Sequence, residues 1–266
     1  MEVVNYLEVS FLLRCMICSQ FQSFVNLDER YEQFYYKCIW LNIEKTRIGL
    51  LNGIIESSKR LFRRRIPVSK AFQFKTLFEK CDLAGLNEEF YSRFIKPYGY
   101  IEYPRQKNLG EYHEEKALKI LSYILKEGQL RTTIDAVHGN FPFIIGRPDA
   151  IYFKDGHPEA VVEVKSPKAS YNKPILQYAN DERQKSIIRI NKNQYALNKE
   201  SPVYCQIQLQ MAIFNIPIGY VIYYSAHNNS ILPIIVYMDD AFIQETIYKL
   251  EILYKNFYLP KLYNLM

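Results

Sequence analysis

Pro148-Asp149-Ala150-Ile151-Tyr152-Phe153-Lys154-Asp155-Gly156-His157-Pro158-Glu159-Ala160-Val161-Val162-Glu163-Val164-Lys165 is the stretch on which the fold turns. Residues 160–165 alternate with the period of a strand, so Glu163 and Lys165 share one face while Val162 and Val164 take the other. Ala150 to Phe153 reads as a second strand, as does Phe143-Ile144-Ile145 before it, and Asp155-Gly156 is a turn signal, so residues 150–165 form a hairpin. Asp149 then lies across from Glu163. Two carboxylates converging at a strand pair suit a hard divalent cation such as Mg2+, which takes few protein carboxylates and keeps positions for water and a substrate phosphate. A lysine two residues along can orient a water or help deprotonate it.

An acid-x-lysine alternation is also common on any solvated strand, so the flanking helices matter. Residues 110–126 read as a helix with the apolar stripe Ala117, Leu118, Leu121, Ile124 and Leu125, and Glu114 falls on that stripe. The competing reading of Glu114 is a first-turn acid beside Glu111 and Glu115, favoured there by the helix dipole. Ser201-Pro202 is a helix start, a cap residue followed by proline, and the helix runs on to Phe214. Of its three glutamines, Gln206 and Gln210 lie four apart like a solvated pair, whereas Gln208 shares a face with Tyr204, Met211 and Ala212 and is expected to point inward. Residues 219–224 form a β-branched and aromatic run that reads as a buried strand. The order helix, strand, strand, strand, helix, strand predicts an α/β fold, a central mixed sheet with helices on both faces.

With these residues in view the chain resembles the viral alkaline exonucleases and phage recombination exonucleases, the YqaJ-like, lambda-exonuclease-like group of the PD-(D/E)xK nuclease superfamily. Gly110-Glu-Tyr-His-Glu114-Glu-Lys-Ala117 is similar to the family's G-x-x-x-E-x-x-A, Gly146-Arg-Pro-Asp149 to its PD element, and Glu163-Val-Lys165-Ser-Pro to its E-x-K-x-P. Tyr204-Cys-Gln206-Ile-Gln208-Leu-Gln210-Met211 resembles its Y-x-Q-x-Q-x-x-M. Arg63-Arg64-Arg65-Ile-Pro-Val-Ser69 looks like the segment that receives a 5' phosphate, with Pro67 where the family commonly has threonine. Residues 250–262 resemble the C-terminal Phe/Tyr-Leu-Pro helix end, so the likeness spans about residues 60–262.

The resemblance implies a restriction-endonuclease-like PD-(D/E)xK core that hydrolyses DNA phosphodiesters, 5'→3' from linear duplex ends. It implies Mg2+, with Mn2+ as a substitute, held by Asp149, Glu163 and the carbonyl of Val164. Glu114 would hold a second metal directly or through water, Lys165 would activate the water, and Gln208 would orient Lys165 or the nucleophile. Arg63, Arg64, Arg65, Ser69, Lys70 and Lys168 are the expected DNA contacts. The partners implied are duplex DNA ends and a single-strand annealing or binding protein.

Charge agrees with a polyanionic partner without singling one out: the net formal charge is +6. Residues 59–80 concentrate the effect, with Arg and Lys interleaved with Phe62, Phe72, Phe74 and Phe78. That segment also reads as a solvated amphipathic helix or, at 59–65, as a nuclear import signal. The basic stretch 165–199, carrying Lys168, Lys173, Lys192 and Lys199, is expected to be a loop or short helix lining a groove.

A chain of 266 residues with 48% hydrophobic content can bury a full core. The expected organisation is a helical N-terminal extension over 1–58 and a nuclease domain over 59–266. Glu8 and Arg14 interrupt the early apolar runs before spanning length, so neither a membrane helix nor a signal peptide is read. Five cysteines, an odd number, suit reduced thiols in an intracellular protein, with the host nucleus an option for a nuclear-replicating virus. Cys15-Met-Ile-Cys18 reads as buried helical thiols, and no iron-sulfur cluster is expected, because the last cysteine, Cys205, lies within the glutamine helix. Twenty-three tyrosines against ten glycines suit an AT-rich viral coding source. Three other readings stand beside the exonuclease: an endonuclease of the same fold cutting structured DNA or RNA, a nucleic-acid-binding recombination accessory, and a helical interaction protein with a fortuitous E-x-K.

Overall fold

Asp155 (φ 50°) and Gly156 (φ 80°) take the two left-handed positions of a tight turn, the conformation that matches the right-handed twist of a hairpin. The expected strand pair follows: β5 (Ala150–Lys154) runs antiparallel to β6 (His157–Lys165), with Ala150 opposite Val162. The computed structural model describes residues 29–35, 65–79 and 104–264. Most of the 1–58 extension, Arg63, Arg64 and the Cys15 to Cys18 pair therefore lie outside the described residues.

Beyond the hairpin, β9 (Ile218–Ser225) pairs parallel with β6, setting Glu163 beside Val221 and Lys165 beside Tyr223. Parallel neighbours need a crossover, and α5 (Pro202–Phe214) supplies it. β10 (Ser230–Tyr237) and β2 (Gly128–Arg131) close the two edges antiparallel, giving the order β10-β9-β6-β5-β2. This is the predicted mixed sheet.

Period-two alternation sorts the sheet into two cores. Val162, Ala160, Ala150, Tyr152, Ile222 and Tyr224 face α3 (Pro104–Ile124), where Ala117 and Leu121 are buried against them. Val161, Ile151, Phe153, Val221 and Tyr223 face the opposite way into a larger cluster built with α5, α2 (Val68–Glu79) and α6 (Asp240–Leu253). Each large apolar side chain so buried contributes roughly 1.5–3 kcal/mol, and helices cover both faces as the sequence predicts. α3 begins six residues before Gly110, so Glu114 sits mid-helix and no acid lies in the first turn. The helix-dipole reading of Glu114 is thereby removed.

A smaller sheet feeds the chain into the site. β1 (Ile66–Pro67) pairs parallel with β4 (Ile144–Gly146), and β3 (Ala136–Val137) pairs antiparallel with β4 on its other side. A Cβ on Gly146 would lie 2.9 Å from Val68 and 3.1 Å from Ile213, so α2 and α5 pin the chain just before Pro148-Asp149.

The basic stretch 165–199 is more ordered than a loop. It holds a 3-10 turn (Lys168–Ser170), α4 (Ile175–Ala179) and a hairpin of β7 (Ile187–Asn191) with β8 (Gln194–Leu197). The chain ends in α6, a π-helical turn (Tyr254–Tyr258) and α7 (Leu259–Asn264), with Leu259 and Leu262 buried. α1 (Glu29–Tyr35) packs here, Tyr31 and Phe34 meeting Tyr263 edge-on. Among the described residues no helix is long and apolar enough to cross a membrane.

Candidate active site

Glu163 is buried at 5% exposure on the α5 side of β6, and three side chains hold its carboxylate. Lys165 Nζ and Gln206 Nε2 both donate to Oε1 at 2.7 Å. Gln210 Nε2 donates to Oε2 at 2.8 Å. The same Gln206 accepts from Lys165 Nζ through its Oε1 at 2.9 Å, so one amide fixes acid and lysine together. Charge-assisted bonds of this kind are the strong class of hydrogen bond.

Asp149 ends the approach from β4. Its Oδ2 accepts from the backbone N–H of Val164 at 2.6 Å, which ties it to the strand carrying Glu163 and Lys165. Burial, then the negative charges of Glu163 and Glu114, push the Asp149 carboxyl well above the usual carboxylate range, against the pull of the Val164 N–H and Lys165. Glu114, half-buried on α3, is raised by burial and Glu163, with Arg147 opposing. Asp149 and Glu114 are thus both held towards their protonated forms by burial and by the Glu163 charge, an electrostatic load that a bound cation relieves.

The structure therefore brings together Asp149, Glu163, Lys165 and Val164, with Glu114 in electrostatic reach. Gln208 is a correction. It is fully buried but faces away, donating to the Tyr237 carbonyl at 2.9 Å and accepting from Asp239 N–H at 2.9 Å. The residues at the site are its neighbours Gln206 and Gln210. The i, i+4 pair looked solvated only under the assumption that α5 has a wet face, and ten of its thirteen residues are buried. A helix free of charged residues and apolar on nearly every side has no such face, and that signal could have assigned both glutamines inward.

Arg65 is a second correction. It is buried and its Nε donates to the Pro142 carbonyl at 2.8 Å, holding the entry to β1 rather than lying on a surface where a phosphate docks. Ser69 and Lys70 are exposed on α2, and Lys168 is exposed in the 3-10 turn. Lys173 and Lys199 are tied at 2.7 Å to Asp181 and Asp239. Cys205 is fully buried in α5, and burial pushes its thiol up to about 12. Sequence reading also passed over Arg147, which is exposed between β4 and Asp149 and offers its carbonyl to Gln210 at 3.3 Å.

The donor set is all oxygen. Among the described residues no three His, Cys, Asp or Glu side chains gather as a ready metal cluster, and a hard cation such as Mg2+ asks for only one or two carboxylates with water and phosphate completing its shell. Asp149 and Glu163 with the Val164 carbonyl fit that demand in kind. Gln210 Oε1, buried without a partner, adds an acceptor beside them.

No protein-family model matches the chain, and no curated protein matches it. Solved structures do. LHK-Exo, an alkaline exonuclease from Laribacter hongkongensis, in complex with dAMP, superposes with a TM-score of 0.50 at 12% identity, covering 78% of this chain and 93% of that one. A phage-related exonuclease from Haemophilus somnus 129PT does so with a TM-score of 0.52 at 12% identity, covering 76% and 96%. The chain shares the fold of these exonucleases, and nearly the whole length of each is matched.

Proposed function

We propose that this chain is a divalent-metal-dependent deoxyribonuclease, an exonuclease that hydrolyses linear duplex DNA 5'→3'. The observation that carries the reading is the shared clamp on Glu163 and Lys165: one buried glutamine bonds both, on a strand tied to Asp149. A solvated acid-x-lysine strand would need no such clamp. The exonuclease fold supports the substrate class, and the dAMP held by LHK-Exo suits a mononucleotide product.

Asp149, Glu163 and the Val164 carbonyl would hold Mg2+ or Mn2+, which supplies positive charge to the diester oxygens as negative charge builds on them. Water adds to phosphorus, the bond to the 3' oxygen breaks, and that oxygen leaves with a proton. Lys165, fixed by Gln206, orients the water and relays its proton. Glu114 lies within electrostatic reach of Glu163 from α3 and would serve a second cation or an ordered water. Of the expected DNA contacts, Ser69, Lys70 and Lys168 are exposed.

The test is digestion of linear duplexes labelled at the 5' or 3' end, with 5'-phosphate and 5'-hydroxyl versions, beside closed circles and single-stranded RNA. Release of mononucleotides from 5' ends with circles intact supports the exonuclease. Cutting of circles or RNA transfers the site to an endonuclease.

A further inference from the structure

His113 has no part in the chemistry described above, yet it is only 4% exposed on a helix whose neighbours Glu111, Tyr112 and Glu115 face solvent. Its Nδ1 lies 2.9 Å from the Oγ of Ser166. Tyr171 meets the imidazole edge-on at 4.9 Å and Tyr224 lies against it at 5.4 Å, so the ring is held from two sides. Ser166 follows Lys165 directly. Successive side chains along an extended chain point to opposite faces, which turns Ser166 to the α3 side of the sheet while Lys165 points to the α5 side.

The hydrogen bond therefore ties two site residues through their chain neighbours. Glu114 stands next to His113 on α3, and Lys165 stands next to Ser166 at the end of β6. α3 buries Ala117 and Leu121 against this face of the sheet one to two turns further along the helix. Gln206 holds Lys165 from the front; the His113 to Ser166 contact holds its backbone from behind.

Resting on the nuclease reading, we infer that His113 and Ser166 form a positioning latch that sets the distance between Glu114 and the Lys165 end of β6. Neither residue touches substrate. Partners standing behind metal or catalytic groups typically cost 10- to 100-fold in metal affinity or activity when removed, and a latch makes four specific demands.

Ser166→Ala and His113→Phe break the hydrogen bond while keeping bulk, Phe preserving the aromatic contacts. Ser166→Thr and His113→Asn retain a hydroxyl and a side-chain group able to bond it. The measurement is kcat and KM on a linear duplex, with Mn2+ binding by calorimetry and thermal melting for each protein. A latch predicts kcat and Mn2+ affinity down roughly 10- to 100-fold in the first two variants, KM within about twofold, and near wild-type values in the conservative pair. It also predicts that the double variant Ser166→Ala, His113→Phe is no worse than either single one, because both remove one interaction. Unchanged kcat and Mn2+ affinity in Ser166→Ala overturn the inference, as does an equal loss in all four variants that follows their melting temperatures. Wild-type protein that binds Mn2+ weakly and cleaves nothing overturns the nuclease reading itself and the latch with it.

Discussion

Glu163 accepts from three donors at 2.7–2.8 Å inside a nearly dry corner of the sheet, and the worth of each donor follows from what its loss leaves behind. Gln210→Ala leaves one oxygen of a buried carboxylate without its bond, a loss that reorients the acid. Cleavage by Gln210→Ala is expected to fall roughly 10- to 100-fold with the protein still folded. Gln208→Ala should do the opposite: it frees the Tyr237 carbonyl and the Asp239 N–H, costs about 1–3 kcal/mol of stability, and leaves kcat per folded molecule intact. Parallel kinetics and urea melts separate the two, and loss of kcat in a fully stable Gln208→Ala would reverse the assignment. His138 carries a different kind of prediction. Its Nδ1 accepts from the N–H groups of Asn140 and Phe141 at 3.2 and 3.3 Å, and burial lowers it from 6.5 to about 4. The folded state thus holds it neutral while the unfolded chain takes up a proton near pH 6.5, so its contribution is present above that pH and is lost as pH falls towards 4. Up to roughly 2–3 kcal/mol disappears over that window. Urea melts of His138→Gln should lack this part of the pH slope, and an unaltered slope would contradict the assignment.

α5 shows why a helix placed correctly can still be read the wrong way round. Ser201 caps it, its side chain accepting from Tyr204 N–H at 3.1 Å, with Pro202 in the first turn, and these local signals need no tertiary knowledge. Ser201→Ala should cost about 1 kcal/mol, seen as a lowered urea midpoint with the denaturant slope unchanged. The hairpin was equally legible, because Asp155-Gly156 demands a left-handed turn and the Val/Glu alternation fixes which face each residue takes. Facing of the glutamines was not legible from spacing, since i, i+4 polar pairs suit water and a buried acid alike. What turns α5 is contact: a Cβ on Gly219 would lie 2.7 Å from Ile207, so helix and strand β9 meet at close range and rotate Gln206 and Gln210 towards Glu163. Arg65 failed for a related reason. A run of three arginines advertises charge but not burial, and the Pro142 carbonyl that captures Arg65 is 77 residues away in sequence.

Across the molecule one mixed sheet separates two cores, α3 on one side and α2, α5 and α6 on the other, and the candidate site forms where the strand between them ends. Asp149 arrives from the small sheet, Glu163 and Lys165 from the large one, Gln206 and Gln210 from one helix layer and Glu114 from the other. The central strands β5, β6 and β9 of the mixed sheet and the helices α3 and α5 could be read from hydrophobic periodicity, while the edge strands β2 and β10 went unread. The short β1, β3 and β4 pairings could not, because strands of two or three residues carry too little pattern to register. That architecture converges on one chemistry, and the decisive comparison is Mg2+-dependent release of nucleotides from a linear duplex by wild type and by Lys165→Ala, with equal melting temperatures. Turnover by wild type should require the cation and fall by at least about 100-fold in the variant, in line with removal of a general acid-base group. Cleavage that survives in Lys165→Ala, or proceeds equally with the cation chelated, would contradict that chemistry.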